Sequence, residues 1–108
     1  MNLPTEVFGN VVVVHAPDEL GYDQCEGFVD FVTGLPQARM VLDLDTTEQI
    51  DSAGLTSLLD VRDNRVAAGG TLKLAVINPN NRKIIELTRL DRQLEVFDSV
   101  LEAVKSFR

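Results

Sequence analysis

VLDLDTTEQIDSAGLTSLLDVRDNRVAAGGTLKLAVI, residues 41–77, begins apolar, passes through a polar stretch, takes up a helical period and ends apolar again. Met40, Val41, Leu42 and Leu44 read as a strand of central character. After Asp51 and Ser52 the stripe Leu55, Leu58, Leu59, Arg62 and Val66 predicts a helix over 52–66, with Asp60, Asp63 and Asn64 on its opposite side. Gly69-Gly70 is a left-handed stop. Thr71 to Ile77 then forms the next strand. Two strands joined through a helix imply a parallel pair with a right-handed crossover.

The rest of the chain extends this unit on both sides. Upstream, Glu6 to Phe8 reads as a short edge strand, Gly9-Asn10 as a tight turn, and the consecutive valines 11 to 14 as a strand buried on both faces. Ala16-Pro17-Asp18 breaks it. Leu20, Cys25, Phe28, Val29 and Val32 predict a helix over 20–32, with Asp18 as a plausible N-cap and Gly34-Leu35-Pro36 at its end. Downstream, Asn78-Pro79 opens a helix carrying Ile84, Ile85, Leu87 and Thr88. Leu94 to Phe97 is a short strand, and Asp98 or Ser99 caps a last helix with Val100, Leu101, Val104 and Phe107. The order is β-β-α-β-α-β-α-β-α. It describes one α/β domain over residues 1–108, with a mostly parallel, mixed sheet of about five strands and four helices.

Composition narrows the function. The 108 residues suffice for one domain; 44% are hydrophobic and 25% charged, as in a soluble globular protein. The net charge of −7 argues against nucleic acid and against an anionic membrane surface. The longest apolar run, Val11 to Val14, is too short to insert into a bilayer, and MNLPTEVFGN lacks the layout of a signal peptide. The expected location is cytoplasmic. A single cysteine, Cys25, allows no internal disulfide, and with the single His15 it makes no metal site, so no metal and no cofactor are expected.

No catalytic motif stands out. There is no G-x-S-x-G, no G-x-x-x-x-G-K and no G-x-G-x-x-G. Asp43 and Asp45 alternate with Leu44, which makes them solvent-facing strand-end residues as readily as a carboxylate pair. Asp45 alone could suit a phosphoryl-accepting receiver domain, but no acidic pair follows the first long strand and no lysine stands after a later one. The remaining candidate is Asp51-Ser52-Ala53-Gly54-Leu55-Thr56. It leaves the carboxyl edge of a parallel sheet and enters a helix, where open α/β folds place their ligands. Asp51 or Ser52 can cap free N–H groups, and Gly54 adds no side chain to obstruct an approach. A phosphate on Ser52 would bring about −1.5 to −2 charges to this surface beside Asp51. From the spacing alone the helix-cap reading leads.

The run VLDLDTTEQIDSAGLTSLL resembles the signature of the STAS domain family, which includes anti-sigma factor antagonists and domains of sulfate transporters. GGTLKLAVINPNNRKIIELTRLDRQLEVFDSVLEAV resembles the family's second half. For the antagonist type, the resemblance implies a binding module and kinase substrate, not an enzyme. Its partner would be an anti-sigma factor that is also a serine protein kinase, and a phosphatase would reset the cycle. It implies phosphorylation at Ser52 and partner contact through Asp51, Ala53, Gly54, Leu55 and Thr56. The alternative within the family is an unphosphorylated scaffold in another signalling or transporter complex. The chain departs from the pattern in three places. HAPDELGYD replaces a Gly-Glu-Leu-Asp-like turn. Thr47 and Gln49 stand where apolar residues are usual. Ala53 stands in place of a second hydroxyl.

Overall fold

The computed structural model describes residues 1–107. Its main sheet has five strands: β1 (Thr5–Phe8), β2 (Val11–His15), β4 (Arg39–Asp43), β6 (Thr71–Ala75) and β7 (Glu95–Phe97), lying side by side in that order. Two dipeptide strands, β3 (Glu19–Leu20) and β5 (Gln49–Ile50), pair in parallel as a separate small sheet. The helices are α1 (Tyr22–Thr33), α2 (Ser52–Ala67), α3 (Pro79–Leu87) and α4 (Val100–Lys105), with a 3-10 turn at Leu90–Arg92. β1 is antiparallel to β2 and every later pairing is parallel, so the expected mixed sheet with one antiparallel edge is what forms.

The consecutive valines divide between two layers. Val12 and Val14 join Phe28, Val32, Met40, Leu42, Leu58, Val61, Leu74 and Ile85 under the first three helices. Val11 and Val13 join Val41, Ala75 and Ala103 under α4. Alternate side chains of a strand point to opposite faces, so a strand covered on both sides must be apolar at every position. Gly9, at φ +62°, makes the two-residue β1–β2 turn. Gly69, at φ +82°, stops α2. Gly70 is glycine for a different reason: a Cβ there would run into the Ala38 carbonyl oxygen. Asn78 and Ser99 cap α3 and α4 as expected.

Several expectations give way. α1 starts at Tyr22 with Gly21 as its N-cap residue, not at Leu20 behind Asp18. Leu20 is drawn into β3 by pairing with Ile50, and Asp18 turns its carboxylate to the Glu19 N–H. The buried stripe of α2 is Gly54, Ser57, Leu58, Val61 and Arg65; Val66 is exposed. The stripe rotates because Arg65 has carbonyl partners inside. Its guanidinium donates to the carbonyls of Thr33, Leu35 and Gln37 at 2.7–3.0 Å and so ties down the chain leaving α1. Asp43 faces the interior rather than solvent, because His15 Nδ1 lies 2.7 Å from its carboxylate.

Candidate functional site

The carboxyl ends of β2, β4 and β6 form one rim, and the loop from β4 to α2 runs along it. That loop is pinned from three directions. Thr47 is fully buried; its hydroxyl donates to the Pro17 carbonyl at 2.8 Å. The Asn81 side-chain amide, in the first turn of α3, donates to the carbonyls of Leu44 and Thr47 at 3.1 and 2.6 Å. The Glu48 N–H donates to the Asp18 carbonyl at 2.7 Å. A polar residue at Thr47 is therefore no flaw in an apolar site. It joins three segments through groups that would otherwise be buried without partners.

Past this clamp, β5 lies on β3 and delivers Asp51 to the mouth of α2. Asp51 is the N-cap. Its Oδ1 accepts from the Gly54 N–H at 2.9 Å, while its Oδ2 accepts from the Tyr22 N–H, the first residue of α1, at 3.0 Å. One carboxylate thus serves the starts of two helices. The Gly54 and Tyr22 N–H groups hold it below the usual carboxylate range.

Because Asp51 does the capping, Ser52 does not. Ser52 is the first residue of α2 and is exposed, and among the described residues its hydroxyl has no hydrogen-bond partner. The other two hydroxyls nearby are engaged. Thr56 Oγ1 donates to the Ser52 carbonyl at 3.0 Å, and the buried Ser57 Oγ donates to the Gly54 carbonyl at 2.6 Å. Ala53 and Leu55 are half-buried and Thr56 is exposed.

Gly54 is placed differently from the expectation of an open approach. It is buried, and a Cβ would strike the Leu20 carbonyl oxygen and crowd the Ile50 side chain. Its bareness lets α2 start against the β3 backbone. Gly21 has a related role, since a Cβ there would sit 2.9 Å from Asp51 Oδ2. Gly21 and Tyr22, with Glu19, Asp23, Gln24, Gln49 and Asp51, line a shallow cavity of about 200 Å³.

The other candidate carboxylates are occupied. Asp43 takes His15 on one oxygen and the Asp45 N–H on the other, and Asp45 takes the Ile77 N–H at 2.8 Å. Cys25 borders a groove between α1 and α2, where burial pushes its thiol up despite the Ser57 hydroxyl beside it. Among the described residues no group of three or more His, Cys, Asp or Glu could hold a metal ion, and no helix is long and apolar enough to cross a membrane.

Sequence reasoning missed Asn81, Gly21 and Tyr22. Asn81 could have been noticed as a polar residue three places behind an Asn-Pro helix start. Gly21 and Tyr22 carry no local signal, since what matters there is a backbone N–H facing a residue 29 positions away.

Relatives match nearly the whole chain. A Thermotoga maritima protein named "putative anti-sigma factor antagonist" is 25% identical over 97% of this chain and 96% of its own. The crystal structure of a Thermotoga maritima protein of the same description, TM1081, superposes with a TM-score of 0.86 at 24% identity, covering 96% of this chain and 92% of the other. The anti-sigma factor antagonist SpoIIAA in its unphosphorylated form gives 0.72 at 17% identity over 97% and 96%. At these identities the two structures speak for the fold. The STAS domain model matches residues 2–103, and the chain belongs to the STAS domain family.

Proposed function

We propose that this chain is an anti-sigma factor antagonist, a binding module switched by phosphorylation of Ser52. In its unmodified form it binds an anti-sigma factor that is also a serine kinase. The partner then transfers the γ-phosphate of ATP: Ser52 Oγ attacks the γ-phosphorus, the bond to the ADP oxygen breaks, and the hydroxyl proton passes to a base on the partner. The added dianion stands beside Asp51 on the docking face and opposes rebinding. A phosphatase hydrolyses the ester and restores the first state. The chain itself supplies no catalytic group and needs no cofactor. Because the cycle draws on ATP, this reading puts the protein in the cytoplasm.

The observation that carries the reading is the division of labour at the helix start. Asp51 caps, Thr56 and Ser57 are tied to carbonyls, and Ser52 is left exposed with an unengaged hydroxyl. A serine needed only as a cap would accept from the N–H groups that Asp51 takes. Docking contact falls to the exposed Asp51, Ser52 and Thr56, with the half-buried Ala53 and Leu55 at the margin. Asp51 also fixes how its neighbours are presented, and the buried Gly54 acts by that route alone.

The test is intact mass after incubation with a candidate anti-sigma kinase and ATP. One phosphate is expected, stable to hydroxylamine, absent from Ser52→Ala, and accompanied by release from the kinase. A hydroxylamine-labile adduct would move the acceptor to a carboxylate such as Asp45. Tight binding with no phosphate transfer would make the chain an unswitched scaffold.

A further inference from the structure

The bond between Asp51 and the Tyr22 N–H reaches out of the switch helix into a different helix, and nothing in the capping of α2 requires it. The backbones on either side are already in contact. The Leu20 carbonyl accepts from the Asp51 N–H at 3.4 Å, and the missing side chain of Gly54 lets α2 lie against Leu20. Across this seam the Asp51 carboxylate takes the first N–H of α1. Gly21 leaves room for it. The hold on Tyr22 is otherwise slight: the residue is 83% exposed. Gln24 Oε1 secures the Gly21 N–H, one residue earlier.

We propose that phosphate on Ser52 is read at the start of α1: the new dianion displaces the Asp51 carboxylate from the Tyr22 N–H and releases the first turn of that helix. The inference rests on Ser52 as the phosphoacceptor. Two anionic groups on consecutive residues compete for the few free N–H donors at the mouth of α2 and repel one another. Of the two bonds Asp51 makes, the one to Gly54 is partly buried and belongs to α2's own cap. The one to Tyr22 is exposed and bridges separate segments, so it is the one that yields. In the same cavity Glu19 and Asp23 repel the displaced carboxylate, and the side-chain amides of Gln24 and Gln49 are the groups there that can receive it. Phosphorylation therefore alters two neighbouring surfaces, the start of α2 by charge and the start of α1 by loosening.

The experiment needs no kinase, so its outcome is independent of whether a partner phosphorylates the chain. Phosphoserine is placed at position 52 during synthesis, and amide hydrogen exchange is compared with the unmodified protein. The Tyr22 amide should exchange about tenfold faster once its acceptor is displaced, while Gly54 changes little. Tyr22 is the only tyrosine and there is no tryptophan, so the decay of tyrosine fluorescence anisotropy reports the same residue; it should quicken. In an Asp51→Asn background phosphoserine should add nothing further at Tyr22. Unchanged exchange and anisotropy at Tyr22, or an equal effect of phosphate with and without the Asp51 carboxylate, would overturn the proposal. Should Asp51→Asn fail to fold, the comparison of the two Asp51 proteins decides alone.

Discussion

The α-carbon of Gly54 faces the carbonyl oxygen of Leu20 so closely that no side chain fits between them. The obstacle is backbone on both sides and cannot rotate away. Gly54→Ala should destabilise the fold by about 3 kcal/mol, since relief requires α2 to lift from β3. Urea denaturation of the two proteins measures it. Gly69→Ala makes a useful contrast: there the space is open and the cost, about 1 kcal/mol, comes from the positive φ alone.

Among the described residues Arg65 carries a buried charge with no carboxylate to meet it; its partners are the main-chain carbonyls of Thr33, Leu35 and Gln37, at and just past the end of α1, together with Asn64. Arg65→Ala should cost about 3 kcal/mol, because buried acceptors lose their donor at once. Arg65→Lys should recover only part of this, since an ammonium group lacks the planar fork that reaches several carbonyls. Thermal melts of the three proteins should rank Arg, Lys, Ala.

His15 sits between Asp43 at 2.7 Å and Glu6 at 3.1 Å. Burial opposes its charge, but the hydrogen bonds and charges of Asp43 and Glu6 outweigh that and raise its pKa above the usual 6.5. A raised folded pKa means that its stabilising contribution is fully present below about pH 6.5 and fades as pH rises through the folded value. Stability measured from pH 6 to pH 9 should decline in the native protein and stay flatter in His15→Gln. Asp43 and Glu6 are the charged groups that face the ring, so Glu6→Gln should reduce the slope without abolishing it.

Lys73 is buried on the α4 side of the sheet, with Nζ 2.7 Å from Ser106 Oγ, 3.4 Å from Glu95, and 4.2 Å from the centre of the Phe107 ring. Lys73→Met keeps the stem and removes the desolvated charge. It should be neutral or stabilising by about 1 kcal/mol, whereas Lys73→Ala should cost about 2 kcal/mol through lost packing under α4. Chemical denaturation separates the two.

These residues also mark where the sequence was readable. Val11–Val14, the Gly69-Gly70 stop and the Asn78-Pro79 start are local signals, fixed by periodicity or backbone preference, and each stands as expected. Ser52 was singled out by the resemblance to the family signature; from position alone the helix-cap reading led, and Asp51 is the residue that caps. What stayed hidden was decided across the fold. Val66 looked like core, and Arg65 carried no signal of its own; carbonyls 28 to 32 residues away draw the arginine in. Leu20 looked helical until Ile50 paired with it. Gly54 looked bare for a visitor, when its neighbour is the chain itself. In each case a long-range backbone partner overrode the local pattern.

The small β3–β5 sheet and the clamp at Thr47 have a consequence for what another protein could read. Segments around 17–21, 44–52 and 78–81 must all be in place before Ser52 stands clear at the head of its helix. A free peptide spanning residues 49–59 carries the same letters without the pose. On the proposed reading the serine is a conformational epitope, and a nicked, truncated or half-folded chain is expected to lose the kinase that an intact domain engages.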